Sequence, residues 1–202
     1  MEQNCFPFVK IIMPEIPDDL NIINRFKNGD VLAFEDVVMK YRDRIYNLCS
    51  YMLGNVQDAE DAAQDTFLKA YRSLNDFKPK ASLYTWLYRI AVNTCIDHKR
   101  RPFFESIFRR SDTGEEMVIE HPSTSPSPEK VYDSKQIQDA LQEALRKLSP
   151  KMRAVIVLKE LEGLSYEEIA DTLDISIGTV KSRISRARDD LKVSLKDFTE
   201  QK

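Results

Sequence analysis

The chain has 202 residues, of which 31% are charged and 42% hydrophobic, and its formal net charge at pH 7 is -3. This length allows one medium-sized domain or two small ones with buried cores, and the composition is that of an ordinary globular protein. No apolar run is long enough to span a bilayer, so we expect a cytoplasmic chain without membrane insertion.

The first part of the chain is an extension followed by a helical block. Residues 1–18 contain three prolines, which argue against a helix, and we assign this extension no function. From residue 19 to 101, apolar residues recur at helical spacing and predict three or four packed helices. We expect breaks at 28–30, 54–55 and 75–81, where Gly, Asn, Asp and Pro accumulate.

A linker and a second helical block follow. Helical periodicity disappears over residues 102–133, where HPSTSPSP at 121–128 is too rich in Pro and Ser to hold a helix. Periodicity resumes over 134–197, with Pro150 at a first helical position and a capping box made by Ser165 and Glu168. The expected fold is therefore all-α, with two small helical domains joined by a flexible linker.

The second block ends in two helices with a tight turn between them. Ala170 lies in the first helix, Asp174 follows four residues later in the turn, and Val180 lies ten residues later in the second helix. This is the spacing of a helix-turn-helix, in which a small residue allows close approach and Val180 fills the angle. Asp174 stands where glycine is common, although Asp enters the left-handed region more readily than most residues.

The final helix separates apolar from cationic residues. Its apolar stripe consists of Ile177, Val180, Ile184, Ala187 and Leu191, at alternating spacings of three and four. A solvated amphipathic helix would explain this pattern, but the capping box and the helix-turn-helix spacing agree better with DNA binding. The polar faces carry groups suited to base edges and phosphates, namely Lys181, Ser182, Arg183, Ser185, Arg186 and Arg188.

Acidic residues lie directly before this cationic helix. Six acids and no base occur over residues 160–174. Non-specific DNA binding depends on phosphate neutralisation, which these acids oppose. We therefore expect the module to bind DNA weakly when it acts alone.

Two segments of the first block carry concentrated charge. DAEDAAQD, residues 58–65, places four acids and a glutamine near the start of a helix. The helix dipole also stabilises acids at this position, whether or not they bind a partner. The following segment is cationic and aromatic, a combination that suits single-stranded DNA. Its cations are Lys78, Lys80, Arg89, Lys99, Arg100 and Arg101, and its rings belong to Phe77, Tyr84, Trp86 and Tyr88.

These motifs together resemble one protein family. DAEDAAQDTFLKAYRSL (58–74) and SLYTWLYRIAVNTCIDHKRR (82–101) resemble region 2 of sigma-70-family factors of the extracytoplasmic-function group, and LKELEGLSYEEIADTLDISIGTVKSRISRAR (158–188) resembles region 4. Order, spacing and linker match from residue 19 to about 195. The resemblance implies a bacterial alternative sigma factor, which binds core RNA polymerase, recognises promoter DNA and assists duplex opening.

The resemblance also implies roles for individual residues. Polymerase docking is expected of Glu60, Asp61, Gln64 and Asp65. Binding of the opened minus-ten element is expected of Lys78, Lys80, Ser82, Tyr84, Arg89 and Asn93, whereas we favour a core position for Trp86. Contacts with the minus-thirty-five element are expected of Lys181, Ser182, Arg183, Ser185 and Arg186. Relatives commonly pair with an anti-sigma factor, so we expect one here.

Other classes of function find less support in the sequence. The five glycines form no phosphate-binding loop, and neither His98 nor His121 lies in a catalytic motif, so we expect no enzyme and no cofactor. Cys95 and His98 could share a helical face, but two ligands make no metal site. The third alternative is a free-standing DNA-binding regulator, which would leave both charged segments of the first block unexplained.

Overall fold

The computed structural model describes residues 18–78, 82–108 and 128–200, without the side chains of 99–108, 128–135 and 197–200. Every regular element in these ranges is helical, which confirms the expected fold class. No helix in the same ranges is long and apolar enough to cross a membrane. The helices are α1 (Asp19–Lys27), α2 (Ala33–Leu53), α3 (Val56–Ser73), α4 (Leu83–Phe108), α5 (Pro128–Lys147), α6 (Pro150–Ile156), α7 (Tyr166–Leu173) and α8 (Ile177–Glu200).

Helix α2 is the centre of the first domain, which comprises α1–α4. It packs against the other three helices, and its buried face carries Phe34, Val37, Tyr41 and Ile45 at helical spacing. Helix α2 ends where Gly54 adopts φ 72, as the predicted break requires. The Tyr41 hydroxyl donates to Asp19 and thereby joins α2 to α1.

Helices α3 and α4 complete this domain. The Asn55 side chain caps α3, and small buried residues let α3 approach its neighbours closely, namely Ala59, Ala62, Ala63 and Ala70. Helix α4 continues through Pro102 to Phe108, beyond residue 102 where the linker is expected to begin. Helix α5 begins at Pro128, before residue 134 where the second block is expected to begin. Proline is well suited to a first helical position.

The predicted local motifs of the second domain, which comprises α5–α8, are present. Ser149 caps α6, which begins at Pro150, and a π-helical turn over Val157–Leu161 follows. Ser165 and Glu168 form the capping box in both directions, with N···O distances of 3.1 and 2.8 Å. Asp174 has φ 54 and is the one non-glycine residue with positive φ among those described.

The two domains share one hydrophobic core, and their contact covers the C-terminal end of α2. A helix end leaves its last carbonyl oxygens without partners in the helix, and α2 has no basic residue in its last turn. The Gly54 amide donates to the Ser50 carbonyl, and side chains from α5 and α6 add further donors at this helix end. Gln142 donates to the Ser50 carbonyl at 3.3 Å, Arg146 to that of Gly54 at 3.4 Å, and Arg153 to that of Met52.

Arg153 is the most deeply buried charged residue that the structure describes, at 1% exposure. Its guanidinium also donates to the carbonyl oxygens of Leu145 and Arg146 at 2.6 and 2.7 Å, and to that of Leu148 at 3.1 Å. Burial lowers the pKa of Arg153, and the nearby Arg146 lowers it further. One side chain thus joins the ends of α2 and α5.

Replacement of Arg153 by methionine should destabilise the protein. The apolar side chain keeps most of the volume but leaves several buried carbonyl oxygens without donors, at a cost of about 3 kcal/mol. Urea denaturation followed by circular dichroism measures the change. The exposed Arg42→Met is the matched control and should change the free energy of unfolding by less than about 0.5 kcal/mol. Equal stability of the two variants would contradict the role given to Arg153.

Candidate nucleic-acid interface

The second helix of the helix-turn-helix, α8, is held by part of the predicted apolar stripe. Val180, Ile184 and Ala187 are buried, and Leu191 is half-buried. The prediction is wrong for Ile177, which is 39% exposed because it lies in the first turn of α8 and extends beyond the packed surface. The stripe therefore fixes the orientation of the helix from Val180 onward.

The polar faces of α8 are accessible to a ligand. Lys181, Ser182, Ser185 and Arg186 are exposed, and Arg183 is half-buried. The Ser182 hydroxyl donates to the Thr179 carbonyl at 3.0 Å, so in this structure it is engaged by its own helix. Four of the five residues predicted for the minus-thirty-five contact thus lie on an open surface.

Two features beside α8 were not predicted from the sequence. Arg188 forms an ion pair with Glu160 at 2.6 Å, and this hydrogen bond raises the pKa of Arg188. Two ammonium groups lie over the Tyr166 ring, that of Lys159 at 4.9 Å and that of Lys181 at 5.9 Å from its centroid. Glu160 and Tyr166 therefore contact Arg188 and Lys181 of α8, which the sequence alone did not indicate.

The predicted docking residues do not all face the same way. Glu60, Asp61 and Gln64 are exposed on α3. Asp65 is half-buried and faces α4, where its carboxylate lies 3.5 Å from His98 Nε2. The open part of this surface therefore comprises Glu60, Asp61 and Gln64.

Some of the residues predicted for the minus-ten element are exposed to solvent, and others form hydrogen bonds within the protein. Lys78 and Asn93 are exposed, and the Ser82 hydroxyl lies 2.6 Å from that of Thr85. Lys80 lies outside the described residues. Trp86 is half-buried, with its ring centroid 5.1 Å from that of Phe77, and it packs against the core as expected.

The remaining residues of this face contact the second domain. Arg89 donates from Nε to the Thr172 carbonyl at 3.1 Å and from Nη2 to the Asp171 carbonyl, both in the last turn of α7. Tyr84 donates its hydroxyl proton to Glu168, which also belongs to the capping box. A groove of about 600 Å³ lies between α4 and the α7–α8 turn.

Tyr88 adds a third side chain to this contact. Its ring is buried, and its hydroxyl donates to the Glu162 carboxylate. Burial raises the pKa of Tyr88, and the hydrogen bond with Glu162 raises it further, so the hydroxyl keeps its proton at neutral pH. Sequence reasoning missed Glu162 because nothing near it in the chain indicates its partner.

The cysteines and histidines do not form a metal centre in the described part of the chain, where no group of three or more His, Cys, Asp or Glu could hold an ion. Cys49 and Cys95 are both buried. A hydrogen bond with Cys95, together with burial, raises the pKa of the Cys49 thiol. A thiolate is therefore disfavoured at neutral pH, which agrees with an unreactive core residue.

Comparison with known proteins decides the family. The model for sigma-70 region 2 matches residues 23–102, and that for sigma-70 region 4 matches residues 138–191. The sigma factor SigW of Bacillus subtilis is 41% identical over an alignment of 179 residues, and the match covers 87% of this chain and 96% of that protein. The chain belongs to the sigma-70 family, in its ECF group. This membership also confirms that the chain is not an enzyme.

Other members of the family align over a similar length. The sigma-H factor of Pseudomonas aeruginosa is 36% identical, with 85% of this chain and 90% of that protein covered. The solved structure of RpoE from Bartonella quintana in complex with the anti-sigma factor NepR has a TM-score of 0.66 and 30% identity, and covers 82% of this chain and 98% of that one. CnrH, solved in complex with the cytosolic domain of CnrY, has the same TM-score and 27% identity, with 89% and 97% covered.

Arg186→Ala should weaken recognition of duplex DNA that carries the minus-thirty-five element. If Arg186 contacts a base, its loss should cost about 1 to 3 kcal/mol, and Lys181→Ala should behave similarly. Fluorescence anisotropy with a promoter duplex measures the affinity, and binding to core polymerase should be unchanged. Arg42→Ala, an exposed arginine of region 2, is the control. Loss of polymerase binding in the region 4 variants would contradict this assignment.

Proposed function

We propose that this chain binds core RNA polymerase and directs it to promoters as an alternative sigma factor. Region 2 would dock on the polymerase and hold the opened minus-ten element, and region 4 would bind the minus-thirty-five element. Family membership over both regions is the observation that carries this proposal. The exposed cationic face of α8 supports it, because such a face can contact bases and phosphates together.

The docking surface of the proposal is the open face of α3. Glu60, Asp61 and Gln64 present two carboxylates and an amide to solvent, a pattern that suits a basic and polar partner surface. Asp65 would act indirectly, because its carboxylate faces His98 and so helps to fix α3 against α4. Lys69 supports the same packing by donating to the Thr94 hydroxyl at 2.9 Å.

Weak individual contacts fit this role. The chain is mildly acidic overall, and six acids precede the cationic helix α8, so free protein should bind random DNA poorly. Once both regions are held on one polymerase, the second contact becomes intramolecular and gains from the effective concentration. Promoter specificity would therefore depend on both regions acting together.

An anti-sigma factor is part of the proposal. Two relatives of known structure were solved with such a partner or with a protein domain bound, NepR and the cytosolic domain of CnrY. We propose that a comparable protein binds this chain and that the chain works in the cytoplasm, where its polymerase is found. Co-purification of the tagged chain from its native cell, followed by mass spectrometry, would identify that protein.

The docking surface can be tested by charge reversal. Asp61→Lys should reduce binding to core RNA polymerase at least tenfold, because it places a cation at the centre of an acidic contact. Asp43→Lys makes the same change at an exposed position of α2 and should leave binding unchanged. Size-exclusion co-elution and promoter-specific transcription measure the two effects. Wild-type protein that is folded but fails to bind core polymerase would overturn the proposed function.

A further inference from the structure

Arg188 lies on the flank of α8 that also carries Lys181. The two residues are seven positions apart, which is almost two full helical turns, so their side chains leave the helix on the same side. Their positions along the helix axis differ by about 10 Å. Arg188 therefore extends the line of Lys181, a residue predicted to contact the minus-thirty-five element, towards the C-terminal end of α8.

Arg188 is held by an acid from outside the helix-turn-helix. Its guanidinium donates from Nη2 and Nε to one carboxylate oxygen of Glu160, at 2.6 and 3.1 Å. The acceptor is 28 residues away in the chain, so these bonds fix the side chain against a different element of region 4. A DNA phosphate would need the same N–H groups, because a guanidinium binds carboxylate and phosphate through the same donors.

The backbone that carries Glu160 is itself unusual. Glu160 lies in the π-helical turn Val157–Leu161, and π-helical turns are rare and frequent at functional sites. The turn also carries Lys159, whose ammonium lies over the Tyr166 ring, as does that of Lys181. The same short segment thus places an acid on one cation of the flank and a cation near the other.

We propose that Glu160 determines the specificity of region 4 by withholding Arg188 from DNA phosphates. Random duplex is bound mainly through its phosphates, so each cation that is paired within the protein lowers this binding. The inference rests on the proposed function, because it assumes that this face of α8 binds promoter DNA. Among the six acids of residues 160–174, the effect is assigned to Glu160 because its carboxylate contacts a cation of α8.

Promoter DNA should be affected by this ion pair less than random DNA is. In the promoter complex, base contacts of Lys181 and Arg186 would fix the register of α8, and a further phosphate contact adds affinity only where that register allows it. On random duplex no base contact fixes the register, so a released Arg188 can reach a phosphate in many arrangements. The ion pair therefore preserves the ratio of specific to non-specific affinity, on which selection among many competing sites depends.

The ion pair can be removed without unfolding region 4. It is open to solvent, with 53% of the Arg188 side chain and 44% of the Glu160 side chain exposed. Ion pairs of this kind contribute little to folding stability. DNA binding by wild-type protein and by variants at Glu160 can therefore be compared in folded chains.

The test neutralises the acid in the full-length chain. Glu160→Gln should bind a duplex of scrambled sequence about fivefold more tightly than wild-type protein at low salt, and the logarithm of its affinity should fall with the logarithm of the salt concentration more steeply, by about one. The affinity for a duplex that carries the minus-thirty-five element should rise by less than about twofold. Fluorescence anisotropy between about 50 and 200 mM salt measures both affinities.

A matched control and a double variant separate the ion pair from the loss of charge alone. Glu143→Gln removes an exposed glutamate beside Arg146 on α5 and should leave both affinities unchanged. Glu160→Gln should have no effect in a chain that carries Arg188→Ala, because the acid is proposed to act through that arginine. Glu160→Ala removes the acceptor as well as the charge and should behave like Glu160→Gln.

Three outcomes would overturn the inference. The first is unchanged affinity of Glu160→Gln for the scrambled duplex, and the second is a gain that persists without Arg188. The third is an equal gain on both duplexes, which would show that Glu160 limits affinity without favouring the promoter. Promoter-specific transcription by wild-type protein with core polymerase is measured in parallel. Its absence would overturn the proposed function, whereas transcription together with any of the three outcomes would overturn this inference alone.

Discussion

The arrangement of the two regions depends on guanidinium groups that bind the carbonyl ends of helices. Arg153 of region 4 joins the ends of α5 and α2, and Arg89 of region 2 binds the end of α7. Neither α2 nor α7 has a basic residue in its own last turn. Each region thus completes a helix of the other, and the dipole of each completed helix favours the added charge.

These two contacts differ in strength because they differ in burial. Arg153 is enclosed by four carbonyl oxygens, so its removal would leave several buried acceptors unsatisfied. Arg89 is exposed, and water can replace its acceptors. The buried arginine therefore contributes more to the contact between the two regions than the exposed one does.

Local features of the structure could be predicted from the sequence, and contacts between the regions could not. The capping box of Ser165 and Glu168 and the left-handed Asp174 depend on residues within a few positions of each other. The partners of Arg89 and Arg153 lie up to 101 residues away and are mostly backbone oxygens, which every residue carries. Arg153 did offer a signal, because it directly precedes the apolar run AVIVL, but its acceptors offered none.

The Arg89 guanidinium suits protein and nucleic-acid acceptors alike. Carbonyl and phosphate oxygens are both acceptors, and a guanidinium offers five donors in a fixed plane to either. A carboxylate partner for Arg89 would have formed a stronger, charge-assisted contact. Backbone carbonyls bind the same donors less strongly, so the arginine is held in place yet remains available to a more highly charged ligand. The choice of acceptor thus sets how tightly α7 holds the Arg89 side chain.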